Sequence, residues 1–140
     1  MKTRVLFLCT GNSCRSQMAH GWLTQLAGDR YEVYSAGLET HGVNPYAIRV
    51  MAEKGVDISS HTSNAVSDYL GESFGLLVTV CGGAKEACPL FAGEVKERRH
   101  WPFDDPAGAL GSEEEILAAF RRVRDEIRHK IDTFLKESKA

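Results

Sequence analysis

A chain of 140 residues can bury one continuous core, and 43% apolar with 26% charged residues is the make-up of an ordinary globular protein. The formal net charge of −2 gives no basic field for nucleic acid or an acidic membrane, and no apolar stretch reaches the roughly 18 residues needed to span a bilayer. The apolar run Val5-Leu6-Phe7-Leu8 is too short for a signal-peptide core, because polar Thr10, Asn12 and Ser13 end it at once, so a cytoplasmic location is expected. There, four cysteines point to catalytic, redox or metal chemistry rather than to a structural disulfide framework.

Residues 4–8 are rich in strand formers and stop at the turn cluster Gly11-Asn12-Ser13. Residues 16–27 then take helical spacing, with Met18, Trp22, Leu23 and Leu26 on one side. A second strand is predicted over 31–36, closed by Gly37. Asn44-Pro45 is a helix start, with Asn as cap and Pro at the first position. That helix should reach Lys54 with Ala47, Val50 and Met51 inward and Gly55 as its stop. Thr62 or Ser63 is the predicted cap of a short helix running to Tyr69. Residues 76–80 are the clearest buried strand and lead straight into Cys81, and a weaker strand lies near 98–101. The run Lys96-Glu97-Arg98-Arg99-His100 reads as a solvated face. Ser112-x-x-Glu115 is a capping box, and Ile116, Leu117, Phe120, Val123, Ile127, Ile131 and Phe134 follow at helical steps.

Alternating strands and helices predict one α/β domain over residues 1–140, a parallel sheet with helices on both faces. Right-handed crossovers then bring the strand C-terminal ends, including Cys9 and Cys81, to one edge.

The segment Cys9-Thr10-Gly11-Asn12-Ser13-Cys14-Arg15 with Ser16 stands between a strand and a helix. A turn of that length into a helix N-terminus supplies converging backbone N–H groups for an oxyanion. Gly11 keeps a side chain out of the turn, Arg15 offers a planar fork for two oxygens, and Asn12 can hold a strained turn. The positive surroundings and a hydroxyl from Ser16 favour the thiolate form of Cys9, which makes it the candidate nucleophile. Cys14 is either structural or an oxidation partner for Cys9. His20, His41, His61, His100 and His129 stand at no metal-ligand spacing from a cysteine, so no metal and no cofactor is expected.

From Cys9 through Arg15-Ser16-Gln17-Met18-Ala19 the sequence resembles the active-site loop of the thioredoxin-coupled arsenate reductases, which share their fold with the low-molecular-weight tyrosine phosphatases. Tyr34-Ser35-Ala36-Gly37, His41-Gly42-Val43-Asn44-Pro45, Asp57-Ile58-Ser59, His61-Thr62-Ser63, Val78-Thr79-Val80-Cys81, Cys88-Pro89, His100-Trp101-x-Phe103-Asp104-Asp105-Pro106-Ala107 and Arg122-Val123-Arg124-Asp125-Glu126-Ile127 extend the likeness over nearly the whole chain. It implies a three-layer α/β/α sandwich around a four-stranded parallel sheet. It also implies Cys9 as nucleophile, Arg15 and the amides of Thr10, Gly11, Asn12, Ser13 and Cys14 as oxyanion ligands, and Asp105 as general acid. Two departures stand out. Where some relatives place Glu and Asp around a potassium ion, this chain has His20 and Asn64, and Pro102 replaces a usual Gly.

The resemblance further implies that Cys81 and Cys88 complete a disulfide relay, since reducing arsenate to arsenite takes two electrons and a thiol pair supplies them. Thioredoxin would then restore the thiols, and phosphate or sulfate would compete with arsenate. Read from the residues alone, Cys81 could also be core packing, and Cys88-Pro89 a turn. Zinc held by Cys81, Cys88 and His100 is disfavoured by the wide spacing and the lack of a fourth ligand. Two other functions compete. A phosphotyrosine phosphatase is opposed by Ala107-Gly108-Ala109-Leu110, where aromatic residues are usual, and by Gln17 where Pro is usual. An arsenite sensor or other anion-binding module is opposed by the lack of a DNA-reading element to couple it to.

Overall fold

The structure, a computed structural model, describes residues 2–81, 91 and 93–138. Cys88 and the glycine-led stretch before it lie outside these residues.

Four strands form the sheet: β1 (Thr3–Cys9), β2 (Tyr31–Gly37), β3 (Phe74–Thr79) and β4 (Val95–His100). All pairings are parallel, in the order β2-β1-β3-β4. The order reverses between β1 and β3, and such a switch point leaves a crevice beyond the strand C-termini. Cys9 ends β1, and Leu8 pairs with Thr79, so Val80 and Cys81 continue β3 beside it.

Three α-helices accompany the sheet: α1 (Arg15–Ala27), α2 (Pro45–Ala52) and α3 (Glu113–Ser138). Alternate residues of β1 decide the layers. Val5, Phe7 and Cys9 join a core with Met18, Trp22 and Leu23 of α1, Val50 and Met51 of α2, and Leu117, Phe120 and Ile127 of α3. Leu6 and Leu8 point the other way, into a smaller cluster with Leu77, Phe74 and Phe91 that Val66 and Tyr69 of a 3-10 turn (Val66–Tyr69) help to cover. The three layers are therefore uneven, with the long helices gathered on the Phe7 side.

The ends of the elements follow their caps. Asn44 Oδ1 accepts from the Tyr46 amide at 2.8 Å, and α2 stops at Ala52 rather than Lys54, with Gly55 at φ +76°. Ser112 Oγ accepts from the Glu115 amide while Glu115 Oε1 accepts from the Ser112 amide, each at 3.2 Å, which is the reciprocal box read from the sequence. The strand expected near 98–101 starts at Val95, as an edge strand whose charged run is largely exposed. Thr62 and Ser63 do not cap the Val66–Tyr69 turn, which follows Ala65 instead. The Ser63 hydroxyl is used at the loop after β1, and the Thr62 hydroxyl donates to Asn64 Oδ1 at 3.2 Å.

Candidate active site

The loop from Cys9 to Arg15 is held from outside by its carbonyl oxygens. Thr10 O accepts from the Glu39 amide (3.0 Å), Gly11 O from the His41 amide (3.1 Å), Ser13 O from the Asn44 amide (3.1 Å) and Cys14 O from the Met18 amide (2.9 Å). Ser63 Oγ lies within 3.2 Å of the Gly11 carbonyl and 3.0 Å of the Asn12 carbonyl, and Gln17 Nε2 donates to Asn12 O at 3.1 Å. In a trans peptide the following N–H points opposite to the carbonyl. Tying the carbonyls outward therefore turns the amides of residues 11–15 toward the hollow of the loop, where an oxyanion would sit.

The left-handed residue of the turn is Asn12, with φ 47°, and not Gly11. At Gly11 the constraint is space and not φ, in line with the expectation that no side chain fits the turn: a Cβ there would meet His41 Nδ1 at 2.4 Å. Gly37, ending β2, likewise has the loop packed on it, with Asn12 N and Thr10 O both 2.7 Å from where a Cβ would be.

Cys9 Sγ lies 2.9 Å from Ser16 Oγ, both groups buried. The oxygen of Ser16 also accepts from Asn12 Nδ2 at 2.7 Å, which leaves its proton available to a Cys9 thiolate. Asn12 Oδ1 in turn accepts from the Asn64 amide at 2.7 Å. A chain of oriented donors thus ends on Cys9. Arg15, 3% exposed, is the first residue of α1, and its Nη1 donates to Phe103 O at 3.1 Å and lies 3.5 Å from Val80 O. It ties the loop to the segments that leave β3 and β4.

Asp105 stands at the rim, 47% exposed, with Oδ2 3.7 Å from Arg15 Nη2 and Oδ1 accepting from the Ala107 amide. Asp104 turns away to Arg122 at 3.2 Å. Cys81 Sγ is buried and lies 4.0 Å from the carbonyl of Leu8, the residue before Cys9. Among the described residues Cys9, Cys14 and Cys81 form no disulfide with one another. Cys14 sits in the core beside Ser13, and burial pushes its thiol up to about 12, which makes it inert at neutral pH. Among the described residues no three His, Cys, Asp or Glu side chains gather as a metal site, and no helix is long and apolar enough to cross a membrane.

Residues 4–140 match the family model described as low molecular weight phosphotyrosine protein phosphatase. The chain belongs to this family. Within it, the chain is 54% identical to the arsenate reductase of Halalkalibacterium halodurans over 138 residues, covering 99% of each protein. It is 52% identical to the arsenate reductase of Bacillus subtilis over 135 residues, covering 96% of each. A solved arsenate reductase in the phosphate binding state superposes with a TM-score of 0.81 at 32% identity, 98% of each chain covered. A low molecular weight protein tyrosine phosphatase from T. tengcongensis shares the fold, with a TM-score of 0.71 at 24% identity, covering 97% of this chain and 99% of that one.

Of the candidate residues, the geometry brings Cys9, Asn12, Arg15, Ser16, Asp105 and Cys81 to one edge of the sheet, while Cys88 lies outside the described residues. Sequence reading missed Gln17, His61, Ser63 and Asn64, which build the outer wall of the loop. Their signal was the weak one of polar residues clustered over 61–64.

Proposed function

We propose that this protein reduces arsenate to arsenite through a relay from Cys9 to Cys81 to Cys88, with thioredoxin as the electron donor. The observation that carries this reading over ester hydrolysis is the second thiol, Cys81, two residues past the end of the strand beside the one that ends in Cys9. A hydrolase of this loop needs one sulfur; a two-electron reduction needs a partner for it. The names of the relatives support the same choice.

The chemistry runs as follows. Arsenate enters the loop, its charge met by the inward amides and the Arg15 fork. The Cys9 thiolate attacks arsenic, a sulfur–arsenic bond forms, and one oxygen leaves as water with a proton from Asp105. The Cys81 thiolate then attacks Cys9 Sγ. The Cys9–Cys81 disulfide forms as the sulfur–arsenic bond breaks, and its electron pair goes to arsenic, which leaves as arsenite. Attack of Cys88 on Cys81 moves the disulfide to Cys81–Cys88 and frees Cys9. A dithiol of thioredoxin reduces that disulfide by the same exchange.

Phosphotyrosine hydrolysis fits less well. After Asp105 the chain offers Pro106-Ala107-Gly108-Ala109 and then Leu110, 89% exposed, with no aromatic side chain to clasp a substrate ring. In an assay linking NADPH, thioredoxin reductase and thioredoxin, arsenate should drive NADPH oxidation by the wild type. Cys9→Ser, Cys81→Ser and Cys88→Ser should each reduce turnover to background. Full turnover in Cys81→Ser or Cys88→Ser would refute the relay.

A further inference from the structure

Behind the loop lies a closed circuit of side chains that the proposed chemistry does not use. Gln17, fully buried, donates through Nε2 to the carbonyls of Asn12 (3.1 Å) and Thr62 (3.0 Å). Both amide hydrogens are then spent, so Oε1 must face outward as an acceptor, and it meets His61 Nδ1 at 3.0 Å. The His61 ring stacks on His20 with centroids 4.4 Å apart and planes at 33°. His20 Nδ1 lies 3.0 Å from Ser35 Oγ, the carbonyl of Ser35 is 3.4 Å from Asn64 Nδ2, and the Asn64 amide returns to Asn12 Oδ1 at 2.7 Å. The circuit begins and ends on Asn12, the one non-glycine residue with positive φ among those described.

We infer that Gln17 and His61 are positioning residues for oxyanion binding, His61 in its Nδ1–H form fixing the Gln17 amide so that it clamps the Asn12 carbonyl outward. The inference rests on the anion-binding reading of the loop but not on the redox relay. A proline at position 17 could supply neither the donor nor the acceptor of this clamp. Burial pushes His20 down to about 4, and burial also lowers His61 against the opposing pull of Asp57, so both rings are neutral at pH 7. A neutral imidazole has one N–H, and Gln17 Oε1 requires it on Nδ1 of His61. That is a definite tautomer, and the opposite of the form that free imidazole side chains favour.

The test reads the clamp without any turnover. Long-range proton–nitrogen NMR of the full chain at pH 7 should show His61 protonated at Nδ1; protonation at Nε2 instead would overturn the inference. Sulfate, which does not titrate near neutrality, then probes the loop. Gln17→Met should bind sulfate roughly tenfold more weakly, as release of the Asn12 carbonyl with loss of the three Gln17 side-chain hydrogen bonds implies. His61→Phe should weaken it several-fold, while His61→Asn, whose side-chain nitrogen falls where Nδ1 was, should stay within about twofold of wild type. In arsenate turnover the Gln17→Met loss should appear in KM with little change in kcat. Unchanged sulfate affinity in Gln17→Met, or equal loss in His61→Asn and His61→Phe, would refute the clamp. Because sulfate binding and tautomer need no reduction, a failed arsenate assay would count against the proposed function and leave this result standing.

Discussion

Asn12 is the residue on which the loop turns. A left-handed φ of 47° costs an ordinary L-residue on the order of 1 kcal/mol, and Asn tolerates it better than most. Here its side chain also orients Ser16 and is held by the Asn64 amide. Asn12→Ala should therefore lose about 2–3 kcal/mol, combining strain with two lost hydrogen bonds, and Asn12→Gly should recover about 1 kcal/mol of that in thermal or denaturant unfolding. Both should lose most of their activity, because neither directs the Ser16 proton to Cys9. Cys14 gives a contrasting expectation. With its thiol buried and raised to about 12, it should resist alkylation of the native, reduced protein at neutral pH, and Cys14→Ala should leave the number of modified thiols unchanged by mass spectrometry. At this scale Cys9, Arg15 and Ser16 were legible because their chemistry is contiguous in sequence. Gln17, His61 and Asn64 were not, because their purpose depends on contacts spanning 44 and 52 positions that only the fold creates.

Elements were read best where a cap announced them. Asn44-Pro45 and Ser112-x-x-Glu115 each carry a side-chain hydrogen bond that local sequence determines, and both appear in the structure as expected. Ser112→Ala should destabilise the protein by about 1 kcal/mol without altering arsenate KM, as measured by denaturant unfolding beside steady-state kinetics. Asn44→Ala should cost a similar amount and also raise KM, because losing the side-chain cap loosens the turn whose backbone N–H at residue 44 holds the Ser13 carbonyl of the loop. Thr62 and Ser63 show where such reasoning fails. Hydroxyls are good caps, but the Ser63 hydroxyl is committed to the carbonyls of Gly11 and Asn12, and tertiary demand overrode the local preference. The fourth strand was placed too late because a charged run carries no burial signal, and an edge strand requires none.

For the whole molecule, alternation of elements sufficed to foresee a parallel sheet with its strand ends on one edge, since crossover handedness leaves few other solutions. The uneven sharing of helices between the faces was not foreseeable, because each helix stripe is apolar whichever face it covers. Stability should carry the mark of His20. Its imidazole titrates near 4 in the fold against 6.5 when unfolded, so between those values the unfolded chain holds a proton that the folded one does not. Stability is then undiminished above about pH 6.5 and falls as pH drops toward 4, by roughly 2–3 kcal/mol from this group. His20→Gln should flatten that part of the urea-midpoint profile relative to wild type.

The relay itself is tested most directly by a single turnover without any external reductant. Fully reduced protein mixed with arsenate should release one arsenite per chain and lose two thiols. Peptide mapping should then find the disulfide between Cys81 and Cys88, with Cys9 free. Arsenate that leaves all four thiols intact and yields no arsenite would contradict the relay outright.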